Sequence, residues 1–186
     1  MHHPRLRVAA SKNGNQQVNV LATERLFLRR LRADDADFIL ELLNEPAFLQ
    51  NIGDRGVRNT ADASRYILAG PVASYEQFGF GLCLVALKET GAPIGICGLL
   101  KRESMEDIEI GFAFLERSWG SGYAYESAAA VMDYARTSLG LNRIAATTAP
   151  GNRGSVRVLE KLGLRFERTF RLEGQEGETS LYAVEG

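Results

Sequence analysis

Residues 107–139 constrain the fold more than any other stretch of the chain. Residues 107–115 read as a strand in which Ile108, Ile110, Phe112 and Phe114 share one face. Residues 123–139 then switch to a helical period. Ala124, Ala128, Val131, Met132, Ala135 and Leu139 fall on one stripe, and Gly140 offers a stop. A short connection through Gly120 and Gly122 joins the two. A strand and a helix that are each apolar on one side must bury those sides in a layered arrangement, which predicts an α/β protein.

The rest of the chain supplies more of both elements. Residues 25–31 alternate as a strand. Asp34 can cap a helix that buries Phe38, Ile39, Leu42 and Leu43 and ends before Pro46. A loop rich in Asn, Gly and Asp follows; Thr60 can then cap a second helix that runs toward Leu68 and stops near Gly70-Pro71. Residues 81–87 and 94–100 read as a hairpin around a Gly-containing turn. After the long helix come a strand at 143–148, a helix at 155–162 ended by Gly163, and strands at 166–172 and 181–184. No repeat or linker divides the chain. We expect residues 1–20, polar, basic and aperiodic, to be a disordered extension and residues 21–186 to be a single domain.

Bulk properties remove several function classes. The net charge of −1 gives no pull toward nucleic acid or membranes, and no apolar run is long enough to span a bilayer. Residues 1–17 lack the apolar core of a signal peptide, so a cytoplasmic location is expected. The only histidines, His2 and His3, lie in the tail. A Ser-His-Asp or Cys-His arrangement and a His-rich metal site are therefore not expected, and no metal is. Cys83 and Cys97 fall on neighbouring strands and read as buried, reduced thiols.

The stretch Arg117-Ser118-Trp119-Gly120-Ser121-Gly122-Tyr123-Ala124 carries the chemistry. Two glycines spaced by one residue allow a tight turn and bring backbone N–H groups close to a ligand. The helix that follows adds its unpaired N–H groups and the positive end of its dipole, and Arg117 can add a charge-assisted contact. Together these suit a pyrophosphate. A tight connection with no ligand would use the same glycines. No Gly-Lys-Ser/Thr follows, so this is not a Walker loop, and no third glycine makes it a dinucleotide fingerprint. A second stretch, from Asn152 to Leu164, opens another helix after a strand. Asn152 and Ser155 lie three residues apart, able to serve one ligand or simply to cap the helix.

Arg-x-x-Gly-x-Gly before a helix resembles the acetyl-CoA pyrophosphate motif of the GCN5-related N-acetyltransferases (GNAT). The run from Trp119 to Glu126, the stretch from Asn152 to Gly163, and Thr23-Glu24-Arg25-Leu26 are similar to the RimJ/RimL-like branch, which acetylates protein N-termini and other amines. The resemblance covers residues 21–184 in matching order. It implies a mixed, mostly antiparallel central sheet of about seven strands, with about four helices packed on both faces. It also implies acetyl-CoA as co-substrate. The strand ending Gly111-Phe112-Ala113-Phe114 should splay from its neighbour at a bulge and hold the pantetheine arm, with the amide near Phe112 as oxyanion donor. Backbone amides of residues 117–122 should hold the pyrophosphate, with Trp119, Tyr123 and Ala124 beside it. Asn152 and Ser155 should lie beside the pantetheine and the sulfur.

Direct attack of an amine on a thioester needs a base for the amine and an acid for the leaving thiolate. Many relatives carry a tyrosine acid seven residues after the motif asparagine; here that position is Leu159. Ser155 is the best substitute. Some relatives carry a glutamate where this chain has Thr147. Glu109 is the candidate base, its competing role being an ion pair with an arginine in the sheet. Glu126 fits the dipole of the long helix. Tyr75, Phe78 and Phe80 either roof an acceptor site or belong to the core. The acceptor would be a protein N-terminus or a small-molecule amine; a homodimer through sheet edges or helices is open. A non-catalytic acetyl-CoA-binding sensor or interaction module with the same fold is the alternative.

Overall fold

The alternation in residues 82–114 builds the centre of one sheet. In the computed structural model, which describes residues 21–172 and 177–186, eight strands run in the order β1-β2-β3-β4-β5-β6-β8-β7. They are β1 (Leu21–Ala22), β2 (Leu26–Arg30), β3 (Leu82–Leu87), β4 (Pro93–Lys101), β5 (Ile108–Phe114), β6 (Arg143–Thr148), β7 (Arg165–Phe170) and β8 (Thr179–Glu185). The strand beyond the expected seven is β1, too short to show a period. The expected extension, residues 1–20, lies outside the described residues.

Where about four helices were expected, the described residues form six α-helices, two of them of six residues: α1 (Ala36–Leu43), α2 (Pro46–Asn51), α3 (Thr60–Ile67), α4 (Ala73–Phe78), α5 (Tyr123–Thr137) and α6 (Arg153–Lys161). Pro46 opens α2 rather than only ending α1, because proline at a first helical position sacrifices no hydrogen bond. Gly70-Pro71 does not stop the chain of helices either. Leu68–Val72 forms a π-helical turn that absorbs the proline and leads into α4. The caps move too: Asn59, not Thr60, caps α3 by accepting the Asp62 amide at 2.9 Å. Ala33–Asp35 forms a 3₁₀ turn ahead of α1, so Asp34 is not the cap.

The sheet separates two cores. On one face α5 buries Ala128, Val131, Met132 and Ala135 against Leu26, Val85, Leu99, Ile110 and Phe114, with Leu159 of α6 alongside. On the other, α1 and α3 bury Phe38, Ile39, Leu42 and Ile67 against Leu84 and Ile96. Ile108, Ile110, Phe112 and Phe114 all join the first core, as the alternation requires. Cys83 and Cys97 face each other across β3 and β4 as free thiols, and burial pushes both up to about 12.

One junction departs from a continuous sheet. β5 pairs with β4 over seven residue pairs, from Lys101↔Ile108 to Gly95↔Phe114, with no shift in register. On its other side β5 runs parallel to β6, and the pairing is Glu109↔Ala145 alone. The strands then diverge. The expected splay is present, but it comes from β6 diverging from β5 and not from a bulge in the β4–β5 ladder.

Candidate active site

The divergence leaves half of β5 open. In an antiparallel ladder successive residues point their N–H and C=O groups to alternate sides. Leu115 donates its N–H to the Ile94 carbonyl at 3.0 Å, which sets the phase. Phe112 therefore turns its N–H and C=O away from β4, toward the gap. Gly111, Phe112 and Ala113 are partly exposed although they sit mid-sheet. At the end of the gap the Trp119 indole Nε1 donates to the Phe114 carbonyl at 2.9 Å and seals the strand end. Trp119 as a whole is 55% exposed.

At the root of the gap lies Glu109. It is 1% exposed, on the face of β5 opposite Ile108 and Ile110. The Thr147 hydroxyl, on the diverging β6, donates to its Oε1 at 2.7 Å. Arg102, just past the end of β4, brings Nε within 3.1 Å of Oε2. Glu109 thus has the arginine neighbour of the ion-pair reading and stands at the branch point of the two strands.

Beyond β5, a 3₁₀ turn at Glu116–Ser118 leads into the glycine turn. Gly120 and Gly122 have φ of 77° and 82°, the left-handed region that favours glycine. Gly122 caps α5, a helix of 15 residues, and the first intrahelical bond is Glu126 N–H to the Gly122 carbonyl. The N–H groups of Tyr123 and Ala124 precede that bond and have no partner within the helix. Arg117 is turned elsewhere: its guanidinium pairs with Glu41 of α1 and is 60% exposed. Glu116 and Glu45 add reciprocal bonds between this turn and α2, Glu116 N–H to Glu45 Oε2 at 2.9 Å and Ala47 N–H to Glu116 Oε1 at 3.2 Å.

Glu126 does more than face the helix dipole. It accepts the Thr23 hydroxyl at 2.5 Å, the Arg25 amide at 2.9 Å and the Arg25 guanidinium at 2.7 Å. Arg25 also lies over the Tyr123 ring, 4.6 Å from its centroid. The β1–β2 turn is thereby clamped to the first turn of α5. Partial burial pushes the Glu126 carboxyl up, but the Thr23 and Arg25 donors outweigh it and hold the group below the usual carboxylate range. A carboxyl depressed in the folded state stabilises the fold above its unfolded pKa of about 4.3, and that contribution is lost as pH falls through the folded value. We expect Glu126→Gln to lower stability by about 1 kcal/mol at pH 7, and the difference from the parent protein to shrink below pH of about 4. Thermal unfolding of both proteins from neutral to acid pH checks this; a pH-independent difference would contradict it.

On α6 the side chain of Asn152 accepts the Ser155 amide at 3.1 Å, so Asn152 is the helix cap. Ser155 is not a cap, and its hydroxyl makes no hydrogen bond among the described residues. Leu159 is buried in the core. Tyr75 belongs to the core as well: its hydroxyl accepts the Leu31 amide at 2.9 Å and donates to the Leu82 carbonyl. Phe78 and Phe80 stack at 5.8 Å with Phe78 exposed. Asp107 is an ion-pair partner of Arg143, which also holds Glu167 and Glu185. Among the described residues no group of His, Cys, Asp and Glu could hold a metal ion, and no helix is long and apolar enough to cross a membrane.

The family model for the acetyltransferase (GNAT) domain matches residues 25–165. The chain belongs to the GNAT acetyltransferase family. YkkB of Bacillus subtilis (strain 168) is 31% identical over 154 residues, 81% of this GNAT chain and 88% of the relative. The N-acetyltransferase p20 of Bacillus licheniformis is 31% identical over 156 residues, 83% and 86% of the two chains. An acetyltransferase from Agrobacterium tumefaciens str. C58 superposes with a TM-score of 0.78 at 26% identity, covering 95% of this chain and 100% of that one. RimL, the ribosomal L7/L12 alpha-N-protein acetyltransferase in complex with coenzyme A, shares the fold, with a TM-score of 0.76 at 17% identity and 89% and 97% coverage. This GNAT acetyltransferase is thus an acyltransferase by family. Three contacts of its site escaped the sequence reading: the Thr23–Arg25–Glu126 clamp, the Thr147–Glu109 bond and the Arg117–Glu41 pair. The placement of Thr23 and Arg25 within a motif was the one available signal.

Proposed function

We propose that this chain transfers the acetyl group of acetyl-CoA to a primary amine, a peptide N-terminus or a small-molecule amine, with residues 21–186 acting as one catalytic domain. A cytoplasmic location, where acetyl-CoA is available, belongs to the same reading. The observation that carries it is the opening of β5 at Phe112, bounded by a buried carboxylate at one end and the glycine turn of α5 at the other.

The residues fit the donor molecule. The unpaired edge of Phe112–Phe114 can hold an extended amide-bearing arm as an added strand. The N–H groups of the Gly120–Ala124 turn, two of them on left-handed glycines, suit the pyrophosphate. Acetyl-CoA supplies the activated acyl group. Glu109 Oε1 is held by Thr147, and Oε2 accepts a proton from the amine. The Phe112 amide faces the gap as an oxyanion donor. The Ser155 hydroxyl, free of protein partners among the described residues, offers a proton to the leaving thiolate. Arg117 contributes its backbone; its side chain serves Glu41.

Trp119 is the only tryptophan in the chain and sits at the end of the gap. Titration with acetyl-CoA is expected to change its fluorescence in a saturable way, with the midpoint found by calorimetry. Turnover is then screened on peptide N-termini and small amines. Binding with turnover on either class supports the transferase. Binding with none leaves the sensor or interaction module, and no binding overturns both.

A further inference from the structure

The two oxygens of the buried Glu109 carboxylate are treated unequally. Oε1 accepts the Thr147 hydroxyl, whereas Oε2 accepts no hydrogen bond among the described residues. An ionised carboxylate offers about four acceptor positions, and leaving them idle inside a fold is costly. The nearest cation does not repair this. Arg102 Nε lies 3.1 Å from Oε2, but no N–H of the guanidinium is aligned to donate to it or to any other described residue. Other arginines of the same chain behave differently. Arg29 grips Asp35 through two bonds of 2.8 and 2.7 Å, and Arg143 bonds Asp107, Glu167 and Glu185. Arg102 supplies charge without the fork geometry that arginine ordinarily brings to a carboxylate. It also keeps 32% of its side chain exposed, so it can leave for solvent without unpacking a core.

We propose that Arg102 keeps the place of the acceptor's ammonium: an aliphatic primary amine, entering protonated, takes Oε2 as its acceptor and turns Arg102 out into water. This rests on the reading of Glu109 as the proton acceptor and adds to it the residue that the acceptor displaces. Charge explains the exchange. One cation replaces another, so the buried carboxylate is never left alone, and an uncharged acceptor could not make the same replacement. The bound ammonium then passes one N–H proton to Oε2. This leaves a neutral amine with a free lone pair and a neutral carboxylic acid. Thr147 is a positioning residue, holding Oε1 so that Oε2 faces the amine.

Ethylammonium tests this without knowledge of the natural acceptor. Arg102→Ala should gain thermal stability from ethylammonium chloride, by about 3–5 °C at a concentration about ten times its Kd. The parent protein should require more ethylammonium for the same rise, because its own arginine competes. Tetramethylammonium, of equal charge but without N–H, should leave Arg102→Ala unmoved, and so should ethylammonium on Arg102→Ala combined with Glu109→Gln. If Arg102→Ala does not fold, Arg102→Gln is titrated in the same way. No response in the single variant, an equal response in the combined variant, or an equal response to tetramethylammonium would overturn the inference. Calorimetry with acetyl-CoA on the same proteins separates this failure from failure of the transferase reading, which alone predicts that titration.

Discussion

Glu109→Gln is expected to lower kcat by about 10²- to 10⁴-fold while acetyl-CoA affinity stays within about twofold. Glutamine has the same shape, and its amide oxygen can still accept the Thr147 hydroxyl. What it cannot do is take a proton. The effect should therefore appear in the chemical step and not in the binding of the donor, whose proposed contacts are Phe112–Phe114 and the glycine turn. Steady-state kinetics with the amine found by screening, together with calorimetry on the same variant, make the separation. Retained turnover would remove Glu109 as the base. A fall in both turnover and acetyl-CoA affinity would show instead that the carboxylate holds the gap in shape.

Gly122→Glu should weaken acetyl-CoA binding by at least about 100-fold. Two effects combine. At φ of 82° any side chain costs about 1 kcal/mol, and the new Cβ would sit 3.5 Å from Arg25 Nη2. A carboxylate is also placed at the positive end of α5, where it satisfies the very N–H groups that an anionic ligand needs. Gly122→Ala divides these contributions. Strain alone should reduce affinity by about tenfold or less, with the remainder due to charge. Calorimetric titration reads both variants. Unchanged binding by Gly122→Glu would move the pyrophosphate away from this turn.

Periodic features of the chain were legible before any coordinates. The four apolar residues of β5 alternate without interruption, and α5 carries an apolar stripe over four turns, so the central strand–turn–helix unit followed from spacing alone. The glycine turn was legible because two positive φ angles require glycine. What escaped has no period. The π-helical turn at Leu68–Val72 hides in a Gly-Pro pair that ordinarily ends a helix. The role of Glu126 depends on Thr23, 103 residues away in sequence, and a pattern read within one window cannot pair them. The same holds for Thr147, which looked like the loss of a glutamate and instead orients one on the next strand. Asn152 was read with both roles open, and the cap is present in the geometry.

The single pair Glu109↔Ala145 has a mechanical consequence. Strands β6, β8 and β7 are laddered to one another along their lengths, and so are β1 to β5, so each group is stiff within itself. The molecule behaves as an open book with a very short spine. Thermal breathing of two stiff pages changes their separation most at the free margins, near Phe114 and Thr148, and least at the spine. Glu109 sits on the spine. The margins have the most freedom to widen and narrow, whereas the buried Glu109 carboxylate stands on the one strand pair with the least.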